Sequence, residues 1–143
     1  MVAKQQILRK GCDKDIIGVT IMGEPASKAN SRRMVLIGGK PRFIKSKKAL
    51  KYSRDFELQC PVLDELMEGD LAVAMKIYYR TRRPDLDESL ILDLLQDKLY
   101  KNDRSIKLKY VLHGLDKENP RTVLLVGPVD KQVEIISSLR ELV

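Results

Sequence analysis

Gly69-Asp70-Leu71-Ala72-Val73-Ala74-Met75-Lys76-Ile77-Tyr78-Tyr79-Arg80 is the stretch that decides the fold. Leu71, Val73, Met75, Ile77 and Tyr79 alternate onto one face, and Ala72, Ala74, Lys76, Tyr78 and Arg80 onto the other. That period of two is the signature of a β-strand. Pro84 stops it. The period then changes to that of a helix. Leu86, Leu90, Ile91, Leu94, Leu95 and Leu99 form an apolar stripe that predicts a helix over residues 87–99.

Upstream, Ile17, Val19 and Ile21 alternate within a strand predicted over residues 15–23, which Gly23-Glu24-Pro25 ends. Met34–Ile37 and Arg42–Ile44 flank Gly38-Gly39-Lys40-Pro41, the pattern of a hairpin. Ser46 is placed to cap a helix carrying Ala49, Leu50, Phe56 and Leu58, with Pro61 as its stop. A further helical turn is expected over Val62–Met67. Downstream, Ile106, Leu108, Tyr110 and Leu112 alternate, and Arg121–Val126 reads as a last strand. Asp130 is placed to cap a helix with Val133, Ile136 and Leu139. The order β-β-β-α-β-α-β-β-α predicts an α+β single domain, one mixed β-sheet with helices packed on it. The chain divides into an extension at 1–14, a domain at 15–127 and a helical tail at 128–143, expected to dock on its own domain.

With 143 residues the chain can bury a core of its own. It holds 27 basic and 20 acidic residues, a net charge of +7, and its pI is near 9.4. Such a balance favours a polyanionic partner, most simply nucleic acid. Cys12 and Cys60 are far apart and fit neither a disulfide framework nor a zinc site, so a reducing cytoplasm is expected. No apolar run has signal-peptide or membrane-span length, so no membrane partner is expected.

The charge is segregated. Lys28, Arg32, Arg33, Lys40, Arg42, Lys45, Lys47, Lys48, Lys51 and Arg54 fall in one span with no acidic residue, which leaves the rest of the chain net acidic by three. Arg80, Arg82 and Arg83 add a second basic cluster. Clustered cations suit a phosphate backbone, where each neutralised phosphate releases condensed counterions. Tyr52, Phe43 and Tyr78 are expected in the core.

Asp85 and Asp87 follow the second basic cluster. On extended backbone, residues i and i+2 point the same way, about 6–7 Å apart. Two such carboxylates repel, and a hard divalent cation offsets the repulsion; Mg²⁺ binds through one or two carboxylates plus waters and phosphate oxygens. Helix capping is the competing account. Asp85 with Glu88 three residues on resembles a capping box, and Asp87 is also placed to cap the helix or complement its dipole. Asp103, in the loop after the helix, is a third candidate acid. A 13-residue helix is roughly 20 Å long, so Asp103 reaches the pair only if the chain folds back. Asp93 and Asp97, four residues apart, read as a solvated helix face. His113 is the only histidine, which excludes a serine or cysteine triad built on a second one.

Pro84-Asp85-Leu86-Asp87, the leucine-rich helix, and Asn102-Asp103-Arg104-Ser105-Ile106 together resemble the RusA-like Holliday junction resolvases of phages and bacteria. Gly23-Glu24-Pro25-Ala26-Ser27-Lys28 resembles that family's opening strand and basic loop, so the likeness runs over about residues 15–127. The resemblance implies a homodimeric, Mg²⁺-dependent endodeoxyribonuclease that resolves four-way DNA junctions by paired incisions. It places the catalytic and metal-binding acids on Asp85, Asp87 and Asp103. DNA binding would fall to Lys28, Arg32, Arg33, Arg42, Lys45, Lys47, Lys48, Lys51, Arg80, Arg82 and Arg83. This chain departs from the family in two places. Asn102 stands where an aspartate is usual, and Ile91 where a lysine is often found, with Lys98, Lys101 or a nearby arginine as candidate replacements. Two other classes remain open: a non-catalytic nucleic-acid-binding module, and a nuclease acting on other branched DNA.

Overall fold

The computed structural model describes residues 15–143. The extension at 1–14, with Cys12, lies outside them. The elements follow the expected order: β1 (Ile17–Met22), β2 (Arg32–Ile37), β3 (Lys40–Lys45), α1 (Lys47–Gln59), β4 (Leu71–Tyr79), α2 (Ser89–Leu95), β5 (Ile106–Leu115), β6 (Arg121–Pro128) and α3 (Gln132–Leu142). The architecture is a mixed α+β domain. Four strands form one sheet in the order β1-β6-β4-β5. β6 runs antiparallel to both β1 and β4, whereas β4 and β5 are parallel.

β4 lies inside the sheet with both faces covered. Leu71, Val73, Met75, Ile77 and Tyr79 join the larger core with Ala49, Tyr52 and Phe56 of α1 and Leu90, Ile91, Leu92 and Leu95 of α2. Ala72 and Ala74 join a second core with Val123, Leu125, and Ile135 and Leu139 of α3. The alternation in β4 thus sorts bulky residues toward two helices and small ones toward the third, where alanine lets α3 approach closely. The C-terminal helix therefore lies on its own domain. Its start differs from expectation: a helical turn at Val129–Lys131 precedes it, and Asp130 makes no side-chain cap.

One sheet was expected, but β2 and β3 form a separate two-stranded ribbon. Gly38 and Gly39 both have positive φ, 59° and 78°, the geometry of the turn that matches strand twist in a two-residue hairpin. The ribbon is tied down at its base. Ser46 caps α1 by accepting from the Ala49 N–H at 3.1 Å and donates to the Asn30 carbonyl at 2.7 Å. Beyond that base most residues are exposed, and only Val35 and Ile44, on one face, are half-buried. Phe43 is accordingly not a core residue: it is 72 % exposed, whereas Tyr52 is buried.

Two helical expectations fail for visible reasons. Residues 62–67 form no helix; the backbone of Met67 instead bonds to the Leu99 carbonyl at 2.8 Å and bridges to Tyr100. The helix expected over 87–99 shrinks to Ser89–Leu95. Asp97 adopts a left-handed φ of 65° and bonds to the Tyr100 carbonyl at 2.7 Å. The Tyr100 hydroxyl donates to the Leu92 carbonyl at 2.7 Å, satisfying a helix-end acceptor from the side. Leu99 is still buried, so the apolar stripe reports burial correctly but overstates the helix.

Candidate functional site

The short α2 lies in the crossover from β4 to β5, and its length decides which acids meet. Seven residues rise about 10 Å rather than 20 Å. The chain turns back over residues 96–102, and Asp103 opens a single helical turn, Asp103–Ser105, directly before β5. Asn102 organises that turn by accepting from the Arg104 N–H at 2.9 Å.

This return brings Asp103 against Asp93. Asp103 lies near enough for its charge to act on the Asp93 carboxyl, and both acids line one cleft. Partial burial raises the Asp93 carboxyl above the usual carboxylate range, and the Asp103 charge and hydrogen bond raise it further. Lys45 and Arg32 oppose the shift only in part. Both acids line a cleft of about 570 Å³ shared with Lys28, Ser31, Arg32, Ser89 and Lys109. Asp93 is the site residue that the sequence reading missed. It was paired with Asp97 on a solvated helix face, but Asp97 lies beyond the helix and holds Lys101 at 3.0 Å. The overlooked signal was that Asp93 lies one turn after Ser89, and so shares its side of α2.

Asp87 borders the cleft and is heavily engaged. Its Oδ1 accepts from the Ser89 N–H at 2.9 Å and the Ser89 hydroxyl at 2.6 Å. Its Oδ2 accepts from the Lys28 N–H at 2.6 Å. Burial pushes this carboxyl up, but the three hydrogen bonds together outweigh burial and hold it below its ordinary value. Two acceptor sites on each oxygen leave one open on Oδ2. Asp87, not Asp85, thus takes the capping role; the Glu88 side chain at the formal cap position makes no such bond. Asp85 is exposed, and its carboxylate has no hydrogen-bond or ion-pair partner among the described residues. Its backbone is fixed by Tyr79, whose hydroxyl donates to the Asp85 carbonyl and accepts from the Asp87 N–H, each at 3.2 Å.

Acid should loosen this arrangement. Glu24 accepts from the Arg80 N–H at 2.8 Å and pairs with Lys48 at 2.8 Å; burial raises its carboxyl, but these bonds bring the net value down. Carboxyls lowered in the folded state bind fewer protons there than when unfolded. Asp87 and Glu24 therefore contribute stability that is present above their ordinary values of 3.8 and 4.5 and is lost as pH falls through the lowered folded values. Urea unfolding midpoints should fall below about pH 4.5, and less steeply in Asp87→Asn. An unchanged slope in that variant would contradict this assignment.

The basic residues divide by partner. Lys48 pairs with Glu24, and Lys51 with Asp55 at 3.4 Å. Lys28, Arg32, Arg33, Lys40, Arg42, Lys45, Lys47, Arg80, Arg82 and Arg83 are exposed and have no ion-pair partner among the described residues. Lys28 and Arg32 reach the cleft itself. The two lysines suggested in place of Ile91 do not. Lys98 is nearly buried against Glu57 at 2.6 Å, and Lys101 is held by Asp97. Lys109 of β5 lines the cleft and pairs with Glu88 at 3.2 Å. Ile91 is fully buried in the larger core, so no side chain there faces the cleft.

Among the described residues, no group of three or more His, Cys, Asp or Glu side chains stands in a metal-binding arrangement. The Asp93–Asp103 pair nevertheless suits a hard cation: both are oxygen donors, and their mutual repulsion is what a divalent ion relieves. No helix among the described residues is long and apolar enough to cross a membrane. No protein-family model matches the chain, and no curated protein matches it.

Proposed function

We propose that the protein is a Mg²⁺-dependent endonuclease that cuts four-way DNA junctions by phosphodiester hydrolysis. The carrying observation is that Asp93 and Asp103 line one cleft together with the cations Lys28, Arg32 and Lys109. A pair of like charges is unfavourable unless the site takes up a proton or a cation. The surrounding lysines and arginines favour an anionic substrate.

Asp93 and Asp103 would hold the ion, with the open Oδ2 site of Asp87 beside Lys28 and Ser89 at the cleft edge; Asp85 does not line the cleft. Bound there, Mg²⁺ supplies activation of water and stabilisation of charge on the phosphate. The chain's own residues bind and orient. Lys28, Arg32 and Lys109 receive the scissile phosphate. Arg33, Arg42, Lys45 and Lys47 on the ribbon side, and Arg80, Arg82 and Arg83 after β4, receive the flanking backbone. Asp87 fixes Lys28 relative to α2, so the cation loop and the acid-bearing helix keep one geometry. In a homodimer, two such clefts related by a two-fold axis match the symmetry of a four-way junction.

A second reading has its own support. Asp87 is largely consumed by backbone bonds, as befits a structural acid in a non-catalytic nucleic-acid-binding module. Labelled four-way junction, flap and linear duplex incubated with the protein in Mg²⁺ or EDTA separate the readings. Paired nicks in the junction, dependent on Mg²⁺, are expected. Binding without nicking in either Mg²⁺ or Mn²⁺ would leave the module reading standing, and equal cutting of flaps would redirect the substrate.

A further inference from the structure

The β2–β3 ribbon carries an apolar face that nothing among the described residues covers. Cross-strand register pairs Arg32 with Lys45, Met34 with Phe43 and Leu36 with Pro41 on one face. Met34 is 60 % exposed, Leu36 71 % and Phe43 72 %. The ribbon is not hydrogen-bonded to the main sheet, and a free two-stranded hairpin is only marginally stable. Its exposed apolar side chains therefore contribute little to holding the domain together.

The position of this face indicates its occupant. Its basal rung, Arg32 and Lys45, acts electrostatically on Asp93, so the face begins at the cleft. The Met34–Phe43 rung lies about 7 Å further out, two residues along the strand. That distance is about two stacked nucleotides. The ribbon holds Arg32, Arg33, Lys40, Arg42 and Lys45 and no acid. Packing it against a second copy would bring ten like charges together, whereas a polyanion neutralises them. A phosphate wall has no apolar complement for Phe43 and Met34. Exposed base planes do, and intact duplex keeps its bases stacked on one another.

We propose that the Met34–Phe43 face of the ribbon seats unstacked bases of a nucleic-acid strand whose phosphates enter the cleft. The proposal rests on the nucleic-acid reading above but not on cleavage. It therefore also deepens that reading: the substrate class is one that offers unstacked bases next to the reacting phosphate, as a branch point does.

The test uses the full chain in EDTA. A four-way junction and a linear duplex each carry 2-aminopurine, placed at the branch point in the junction, and binding and fluorescence are titrated at several salt concentrations. For the wild type, junction binding with a change in 2-aminopurine fluorescence is expected. The double variant Met34→Ser/Phe43→Ser should bind the junction roughly ten- to hundred-fold more weakly, lose the fluorescence change and keep the wild-type salt dependence. Its duplex affinity should change less than about twofold. Phe43→Trp, which keeps an aromatic plane, should retain both signals. If the wild type binds neither DNA, the nucleic-acid reading fails and takes this proposal with it. If the wild type binds and the double variant matches it in affinity and fluorescence, only this proposal is overturned. A dimer that dissociates in the double variant, measured by sedimentation velocity, would overturn it too, by assigning the face to a second copy.

Discussion

Asp103→Asn is expected to reduce Mg²⁺-dependent nicking of a synthetic four-way junction by about 10²–10³-fold while junction binding in EDTA persists or tightens. The size follows from the several kcal/mol of charge stabilisation that a bound metal supplies, at a factor of ten for each 1.4 kcal/mol or so. The direction of the binding effect follows from charge: removing one carboxylate from a cleft lined by Lys28, Arg32 and Lys109 makes it more attractive to phosphate. Asp93→Asn should behave alike, because the two acids line one cleft.

The same pair has a signature that does not depend on turnover. Asp93 is raised in the folded state, so the folded protein binds more protons than the unfolded chain once pH exceeds the ordinary value of 3.8. Stability is then lost as pH climbs from there through the raised folded value. Asp103→Asn removes the like charge, so at neutral pH the metal-free variant should melt at or above the wild-type temperature. Mg²⁺ should raise the wild-type melting temperature by mass action, and that increment should vanish in the variant. A variant that nicks normally, or a wild type with no Mg²⁺-dependent melting shift, would place the metal elsewhere or nowhere.

Ile91→Lys is expected to destabilise the fold by about 4 kcal/mol or more, a large share of the roughly 5–15 kcal/mol that holds a domain this size together. The resemblance in sequence invites this substitution as a way of restoring a catalytic lysine. The structure argues the opposite. Ile91 is fully buried, in the core that also contains Phe56, Leu95 and Leu124. An ammonium there would be unpaired and dry, or would force α2 off the sheet. Because α2 carries Asp93, activity should fall along with stability. Ile91→Val, which removes one methylene, should cost only about 1 kcal/mol. Urea unfolding midpoints decide the matter: a lysine variant within a few tenths of a molar of the wild type would show that the position reaches solvent.

Much of the domain is legible from local pattern. The two-residue period of β4, the Gly38-Gly39 turn, the Ser46 cap and the element order all follow from interactions within a few residues of each other. The basic span is equally plain, because charge is a property of composition and an exposed ribbon needs no tertiary partner to display it. Asp87 was legible as one candidate with two roles open, and the structure finds it capping Ser89 at the edge of the cleft.

What sequence could not set was where α2 ends. Leucine spacing continues to Leu99 because those residues are buried, and burial looks the same to a periodicity whether the backbone is helical or turned. The Tyr100 hydroxyl on the Leu92 carbonyl and the left-handed Asp97 end the helix at Leu95, and Tyr100 is itself held by burial in the larger core and a bridge to Met67. That early end returns Asp103 to Asp93. The acid types, the cationic surroundings and the α+β order were therefore determined by the sequence alone. The pairing of Asp93 with Asp103, the burial of Ile91 and the freedom of the β2–β3 ribbon were decided by tertiary structure, because each depends on contacts between segments that chain distance does not relate.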